Sequence, residues 1–222
     1  MLSHAIQDYL KAIYKLQESG QPVITSKVAK RLSVSAPSAT NMLKRLARLR
    51  LVKYRRYRGA FLTPAGRKVA LEVIRHHRLL ERYLAEALDV SLDHVHAEAE
   101  RLEHALSEEL EEHIDRVLGR PTSDPHGDPI PTRDGTVRER HYPTLAELEP
   151  PRRVVVRRVS DEDPAQLRHL TDLGAVPGAS VSVMEKLPFD GPMRIETGGR
   201  EHVLSLTLAR RLFVEPAKHG AP

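Results

Sequence analysis

The 222-residue chain contains no cysteine and no tryptophan. The first absence excludes disulfides and thiolate metal ligands together. Aromatic residues make up only 4 % of the chain, so aliphatic side chains have to build its core. No stretch approaches the ~18 consecutive apolar residues of a membrane span. The opening MLSHAIQDYL lacks the basic start and apolar run of a signal peptide. A soluble, cytoplasmic protein is expected, with a core that needs no covalent staple and roughly one to three domains.

Charge of one uniform sign is also missing. The net +5 conceals a basic segment, residues 1–75, with 16 Lys/Arg against 3 Asp/Glu. Residues 76–120 reverse the balance, 5 against 12, and the remainder holds 14 against 15. A basic segment joined to an acidic one suggests a polyanion-binding part followed by a part with another task. A solvated basic face would show the same charge, so the order of elements has to decide.

Ile6, Tyr9, Leu10, Ile13, Tyr14 and Leu16 recur at helical spacing. They predict an amphipathic helix over 3–18, capped by Ser3 and ended by Gly20 and Pro22. A short helix near 26–32, capped by Thr25 or Ser26, then meets a tight SVS turn. A second helix over 36–48 opens with Ser35 as cap and Pro37 in its first turn. Two short helices about a tight turn are the helix-turn-helix pattern. LVKYRRYRGAFL alternates about a turn near Arg58-Gly59, as a two-stranded wing would. Thr63-Pro64 starts a long helix through about 88, and another is predicted over 92–118, stopped by Gly119 and Pro121. Residues 121–150 are rich in Pro, Gly and Asp and read as a linker or partly ordered loop. Short apolar runs over 152–216 suit a small β-barrel with one short helix near 163–172.

In a helix-turn-helix the second helix enters the major groove and its first turns reach base edges. Those positions hold Ser35, Pro37, Ser38, Thr40 and Asn41, small groups able to bond bases or touch a thymine methyl. Lys44, Arg45 and Arg48 continue toward flanking phosphates. Thr25, Ser26 and Lys27 open the preceding helix, where amides and hydroxyls also suit phosphate. Lys53, Arg55, Arg56 and Arg58 on the wing can follow the backbone. Tight turn, basic second helix and basic hairpin, in that order, favour a DNA-binding winged helix over a plain basic bundle.

The acidic part carries a different pattern. At 100° per residue, His96, Glu100, Glu103 and His104 share an arc of about 100° bordering the apolar stripe of a continuous helix. His77 and Glu81 lie at i and i+4 on the preceding helix and meet on one face. Helical bundles hold divalent metals with such imidazole and carboxylate donors, although any one of these histidines is more often a surface or satisfied residue. The donors suit Mn²⁺ or Fe²⁺, and Zn²⁺ would also bind them. Neither an open coordination position beside a cleft nor a general base is marked, so no enzyme is expected.

IQDYLKAIYKL, SVSAPSATNMLKRL, LTPAGR, HRLLERYL, VHAEAERLEHALSEELE and DPHGDPIP together resemble the diphtheria-toxin-repressor-type metalloregulators, over nearly the whole chain. The resemblance implies a mainly α protein with a small β domain. A winged helix-turn-helix domain would span 1–63 and a helical dimerisation and metal-binding domain 64–131. A linker over 132–151 would lead to an SH3-like, FeoA-like domain over 152–222. It also implies a homodimer that binds palindromic half-sites in double-stranded DNA and represses metal-uptake genes. Its primary metal site would fall on Asp8, Glu100, Glu103 and His104. An ancillary site would fall on His77, Glu81 and His96, completed from the barrel by Asp163 and Gln166. Iron-type members carry Met and Cys where Asp8 and Glu100 stand, so the first ligands match manganese-type members. Lys11 departs from manganese-type members with paired ions, which carry Glu there. Mn²⁺ is the favoured cofactor, Fe²⁺ the second, with Zn²⁺, Cd²⁺ or Co²⁺ as substitutes in vitro. The alternative is a winged-helix regulator of an organic ligand, its His/Glu cluster merely structural.

Overall fold

The computed structural model describes residues 2–17, 21–138 and 140–217. Helix α1 (His4–Leu16) buries Ile6, Tyr9, Leu10 and Ile13 on one face, as their spacing predicts. Ser3 occupies its N-cap position without a side-chain cap bond, and Gly20 lies outside the described residues. Helix α2 (Thr25–Arg31) has Ile24 at its N-cap position, without a side-chain cap bond, in place of the expected Thr25 or Ser26. The reason is tertiary. Val23 exchanges both backbone hydrogen bonds with Ala60, which keeps the chain extended up to Ile24. Helix α3 (Ala36–Arg48) follows a turn in which Ser33 adopts φ +52°, and Ser35 caps it by accepting from Ser38 N at 3.3 Å. Strands β1 (Val52–Arg55) and β2 (Gly59–Leu62) form the antiparallel wing, with Val52 opposite Leu62. Gly59 sits at φ +95° with Val23 O 2.7 Å from where a Cβ would stand, so only glycine fits this crossing.

Helix α4 (Pro64–Leu88) begins as expected, with the Thr63 hydroxyl accepting from Gly66 N at 3.1 Å. The predicted 92–118 helix is instead two: α5 (Leu92–Leu102) and α6 (Glu108–Val117). Ser107 caps α6 by accepting from Leu110 N, and Glu108, Glu109 and Glu111 fill its first turn. A capping serine followed by acids is a strong helix start, and it outweighs the apolar periodicity that runs through it. Residues 103–107 thereby become a connection between helices.

The chain divides into two compact units. The first holds the residues up to His77 with Glu103–Leu106 and Pro131–Val137. Its core is Leu10, Ile13, Val28, Leu43, Leu46 and their neighbours. The second holds Arg78–Leu102, Ser107–Ile130 and the chain from Arg138 onward. Its sheet domain comprises β3 (Arg152–Val159), α7 (Pro164–Asp172), β4 (Ser180–Lys186), β5 (Met193–Thr197), β6 (Arg200–Leu204), α8 (Leu206–Ala209) and β7 (Leu212–Pro216). The strands pair antiparallel in the order β6-β5-β4-β3-β7 over a core that includes Val156, Leu170, Ile195 and Leu212. Helix α8, beyond the one short helix expected, is capped by Ser205.

The expected linker is more ordered than its composition suggests. Asp124 Oδ1 accepts from His126 N and Asp128 N, both at 2.9 Å, closing a tight turn. Further on, a single 3-10 turn, Leu145–Glu147, places Leu145 fully inside the sheet domain's core. No helix among the described residues is long and apolar enough to cross a membrane.

Candidate metal centres

In the first unit, α1 presents Asp8 outside its own apolar stripe, while Glu103 and His104 stand in the connection after α5. His104 Nε2 lies 2.8 Å from Asp8 Oδ1 and 3.6 Å from Glu103 Oε1. Its other nitrogen, Nδ1, is 2.6 Å from Gln7 Oε1, and the ring stacks on His4 with centroids 4.7 Å apart. With Nδ1–H donated to Gln7, Nε2 faces two carboxylates. One donor atom from each of Asp8, Glu103 and His104 lies within 4.8 Å of the others. Electron-rich atoms so gathered repel unless a cation or proton sits among them. Glu103 is only 1 % exposed, and its Oε1 accepts no hydrogen bond from any described residue. This donor set fits a hard divalent cation. The other oxygen, Oε2, accepts from Lys11 Nζ at 2.7 Å and lies 2.5 Å from His77 Nδ1.

The expected ancillary residues divide between the units. His77 is in the first, beside Glu103, whereas Glu81 and His96 are in the second. Glu100 is exposed on α5, one turn after His96. Glu81 is 1 % exposed; its Oε1 meets His96 Nδ1 at 3.0 Å, and the same nitrogen lies 3.3 Å from Asp161 Oδ2. Asp163 instead caps α7, accepting from Ala165 N and Gln166 N, and its second oxygen takes Gln166 Nε2 at 3.0 Å. Gln166 Oε1 is buried and accepts no hydrogen bond from the described residues.

Asp124 and His126 join Glu81 on its other side. His126 Nε2 faces Leu92 O at 3.1 Å and donates to it. Nδ1 is buried, bonded to no described residue, and 3.9 Å from Glu81 Oε2, too far for a hydrogen bond. Burial, then the charges of Glu81 and Asp128, push the Asp124 carboxyl well above its usual range, against the opposing pull of Arg78. A carboxylate so disfavoured beside an orphaned imidazole nitrogen also fits a cation. Sequence reasoning missed Asp124, His126 and Asp161. The available signal was DPHGD, a histidine between two acids on a rigid turn.

The residues expected to face DNA are mostly exposed. Ser26 and Lys27 are exposed on α2, with Thr25 half-buried. On α3, Pro37, Asn41, Lys44, Arg45 and Arg48 are exposed. The Thr40 hydroxyl bonds Ala36 O, and the Ser35 and Ser38 hydroxyls bond each other at 2.9 Å. Lys53, Arg55, Arg56 and Arg58 are exposed on the wing, Arg56 lying over the Tyr57 ring at 4.8 Å.

Residues 1–60 match the iron dependent repressor N-terminal DNA binding domain, 63–132 its metal binding and dimerisation domain, and 144–216 the FeoA domain. Over 219 residues the chain is 34 % identical to the iron-dependent repressor IdeR of Mycobacterium leprae, covering 93 % of this chain and 95 % of that one. The chain belongs to the iron-dependent repressor family. Members of this family are metal-dependent, DNA-binding transcriptional repressors. A solved manganese-dependent transcriptional repressor in complex with manganese is similar at TM-score 0.88 and 38 % identity, over 95 % of this chain and 99 % of that one. ScaR with bound Cd²⁺ is similar at TM-score 0.80 and 30 % identity, over 96 % and 99 %.

Proposed function

We propose that this iron-dependent repressor family member is a Mn²⁺-favouring homodimeric repressor of metal-uptake genes. The observation that carries the metal assignment is the convergence of Asp8 Oδ1, Glu103 Oε1 and His104 Nε2, without any sulfur donor. Oxygen donors from carboxylates favour Mn²⁺ over softer ions, with Fe²⁺ next. A bound cation supplies charge neutralisation among these lone pairs. Asp8 then ties α1, and with it the winged helix, to the Glu103–His104 connection. Gln7 and His4 hold the His104 ring in the orientation that presents Nε2. Glu100, assigned with them by resemblance, belongs to the second unit. In the second unit Glu81 belongs to two donor groups, one with His96 and Asp161 and the other with Asp124 and His126, and a second ion is held at one of them.

Dimerisation is supported by Leu88, Leu102, Leu110 and Val117, large apolar side chains left exposed on α4, α5 and α6. Two recognition helices of a dimer read half-sites about one helical turn, ~34 Å, apart, so a modest shift of either head decides whether both fit. Metal acts through its differential affinity for the DNA-competent state, and by linkage operator DNA tightens metal binding equally. The test is operator titration with Mn²⁺, Fe²⁺, Zn²⁺ or chelator present. Mn²⁺ is expected to give the largest gain in affinity, and DNA binding indifferent to every metal would sink the assignment.

A further inference from the structure

Lys11 is a buried lysine, 6 % exposed, on the helix that carries Asp8. A buried ammonium is costly unless it is paired and hydrogen-bonded. Lys11 Nζ donates to Glu103 Oε2 at 2.7 Å and lies 3.2 Å from His77 Nδ1. Asp8 and Lys11 are three residues apart on α1 and so share a face. Asp8 addresses the Oε1 side of Glu103, through His104, and Lys11 addresses the Oε2 side. A positive charge therefore already links α1 to the connection at Glu103, the two segments a divalent ion would join.

We propose that Lys11 is a tethered cation that does part of the metal's work in the metal-free protein. It is a positioning residue that sets the basal level of DNA binding. The inference rests on the proposed metal centre at Asp8, Glu103 and His104. Because the Lys11–Glu103 pair needs no external ion, the metal-free ensemble already contains the α1-docked state in substantial proportion. A ligand can shift a two-state equilibrium only by the part not yet shifted. Metal activation in this chain is accordingly graded rather than all-or-none. Replacing the ammonium should deepen the dependence on metal and leave the metal-bound state nearly unchanged.

The experiment uses the full chain, wild type and Lys11→Met, with operator affinity measured in chelator and in saturating Mn²⁺. Lys11→Met is expected to lose at least tenfold in metal-free affinity and less than threefold with Mn²⁺, so the activation ratio widens. Lys11→Arg, which keeps the charge, is expected to recover most of the metal-free affinity. Equal loss with and without Mn²⁺, or no loss in chelator, would overturn the proposal while the metal-centre assignment stands. A wild-type protein that gains nothing from Mn²⁺ would overturn that assignment, and this inference with it. Should Lys11→Met fail to fold, hydrogen exchange on the wild type decides. Amides of α1 are expected to stay protected in chelator to within tenfold of the Mn²⁺ state, and free exchange there overturns the proposal.

Discussion

Glu103 shows how much can depend on one carboxylate. Its two oxygens face different partners: Oε2 meets the Lys11 ammonium and His77, while Oε1 is turned to His104. Glu103→Ala removes a proposed metal donor and leaves Lys11 buried without its carboxylate. Breaking a buried pair in this way costs about 3–5 kcal/mol, so urea denaturation in chelator should show a loss of that order. Operator binding by the same variant should no longer respond to Mn²⁺. Asp124 gives a residue-scale prediction of opposite sign. Burial first, then Glu81 and Asp128, raise its carboxyl above the ordinary value of 3.8. For a raised carboxyl, folded stability is fully present below the unfolded value and is lost as pH rises through the folded one. Asp124→Asn keeps an oxygen for the His126 and Asp128 amides and never ionises. Metal-free melting temperature should therefore be higher for Asp124→Asn than for wild type at pH 7, with the gap closing toward pH 4. With Mn²⁺ added, the stabilisation seen in wild type should be smaller in the variant.

At the scale of elements, short turns place the ligands. The connection between α5 and α6 exists because Ser107 and its acids start a new helix, and this break frees Glu103 and His104 from the helical ladder. The DPHGD turn works similarly in the second unit. Gly127 adopts φ +94°, and a Cβ there would meet Arg157 O at 2.0 Å, while Val159 N donates to His126 O at 2.9 Å. Gly127→Ala must push the turn off β3, because both the backbone conformation and the contact forbid a side chain. Strain alone is worth about 1–3 kcal/mol, and the clash adds to it. The expected result is a lower melting temperature and loss of one bound ion per chain, counted by equilibrium dialysis, with Mn²⁺ still bound in the first unit. Retention of both ions would refute the role given to this turn.

For the whole molecule, the exposed apolar residues of α5 and α6 carry the argument for assembly. Leu110 and Val117 are 52 % and 73 % exposed, so burial within the chain gives no reason for either. Leu110→Glu should leave the fold nearly untouched, within about 0.5 kcal/mol as for other surface changes. It should convert the proposed dimer to monomer by light scattering. Because two half-sites must be engaged together, operator affinity should then fall by roughly two orders of magnitude, as avidity is lost. A variant that stays dimeric would move the interface elsewhere.

Local chemistry was sufficient for much of this protein. Period and capping placed α1, α3, the wing and the start of α4, because an apolar stripe, Ser35 or Thr63-Pro64 acts within one turn of itself. The basic surface of α3 and the wing was legible in the same way, since exposed charge needs no partner. The candidate metal centres were legible only in part. His96 and Glu81 stood out by spacing, but Asp8 lay off its helix's own stripe and was reached through resemblance alone. Glu103 and His104 were chosen from a helical arc that the structure interrupts. Asp161, and Asp124 and His126 from a proline-flanked turn, depend on which backbone packs against which. Sequence determines donor types, since it contains no sulfur from cysteine and many carboxylates and imidazoles. Tertiary structure alone decides which of them meet, because a ligand set is a convergence of atoms from segments far apart in the chain, as with His104 and Asp8, and no local periodicity encodes that distance.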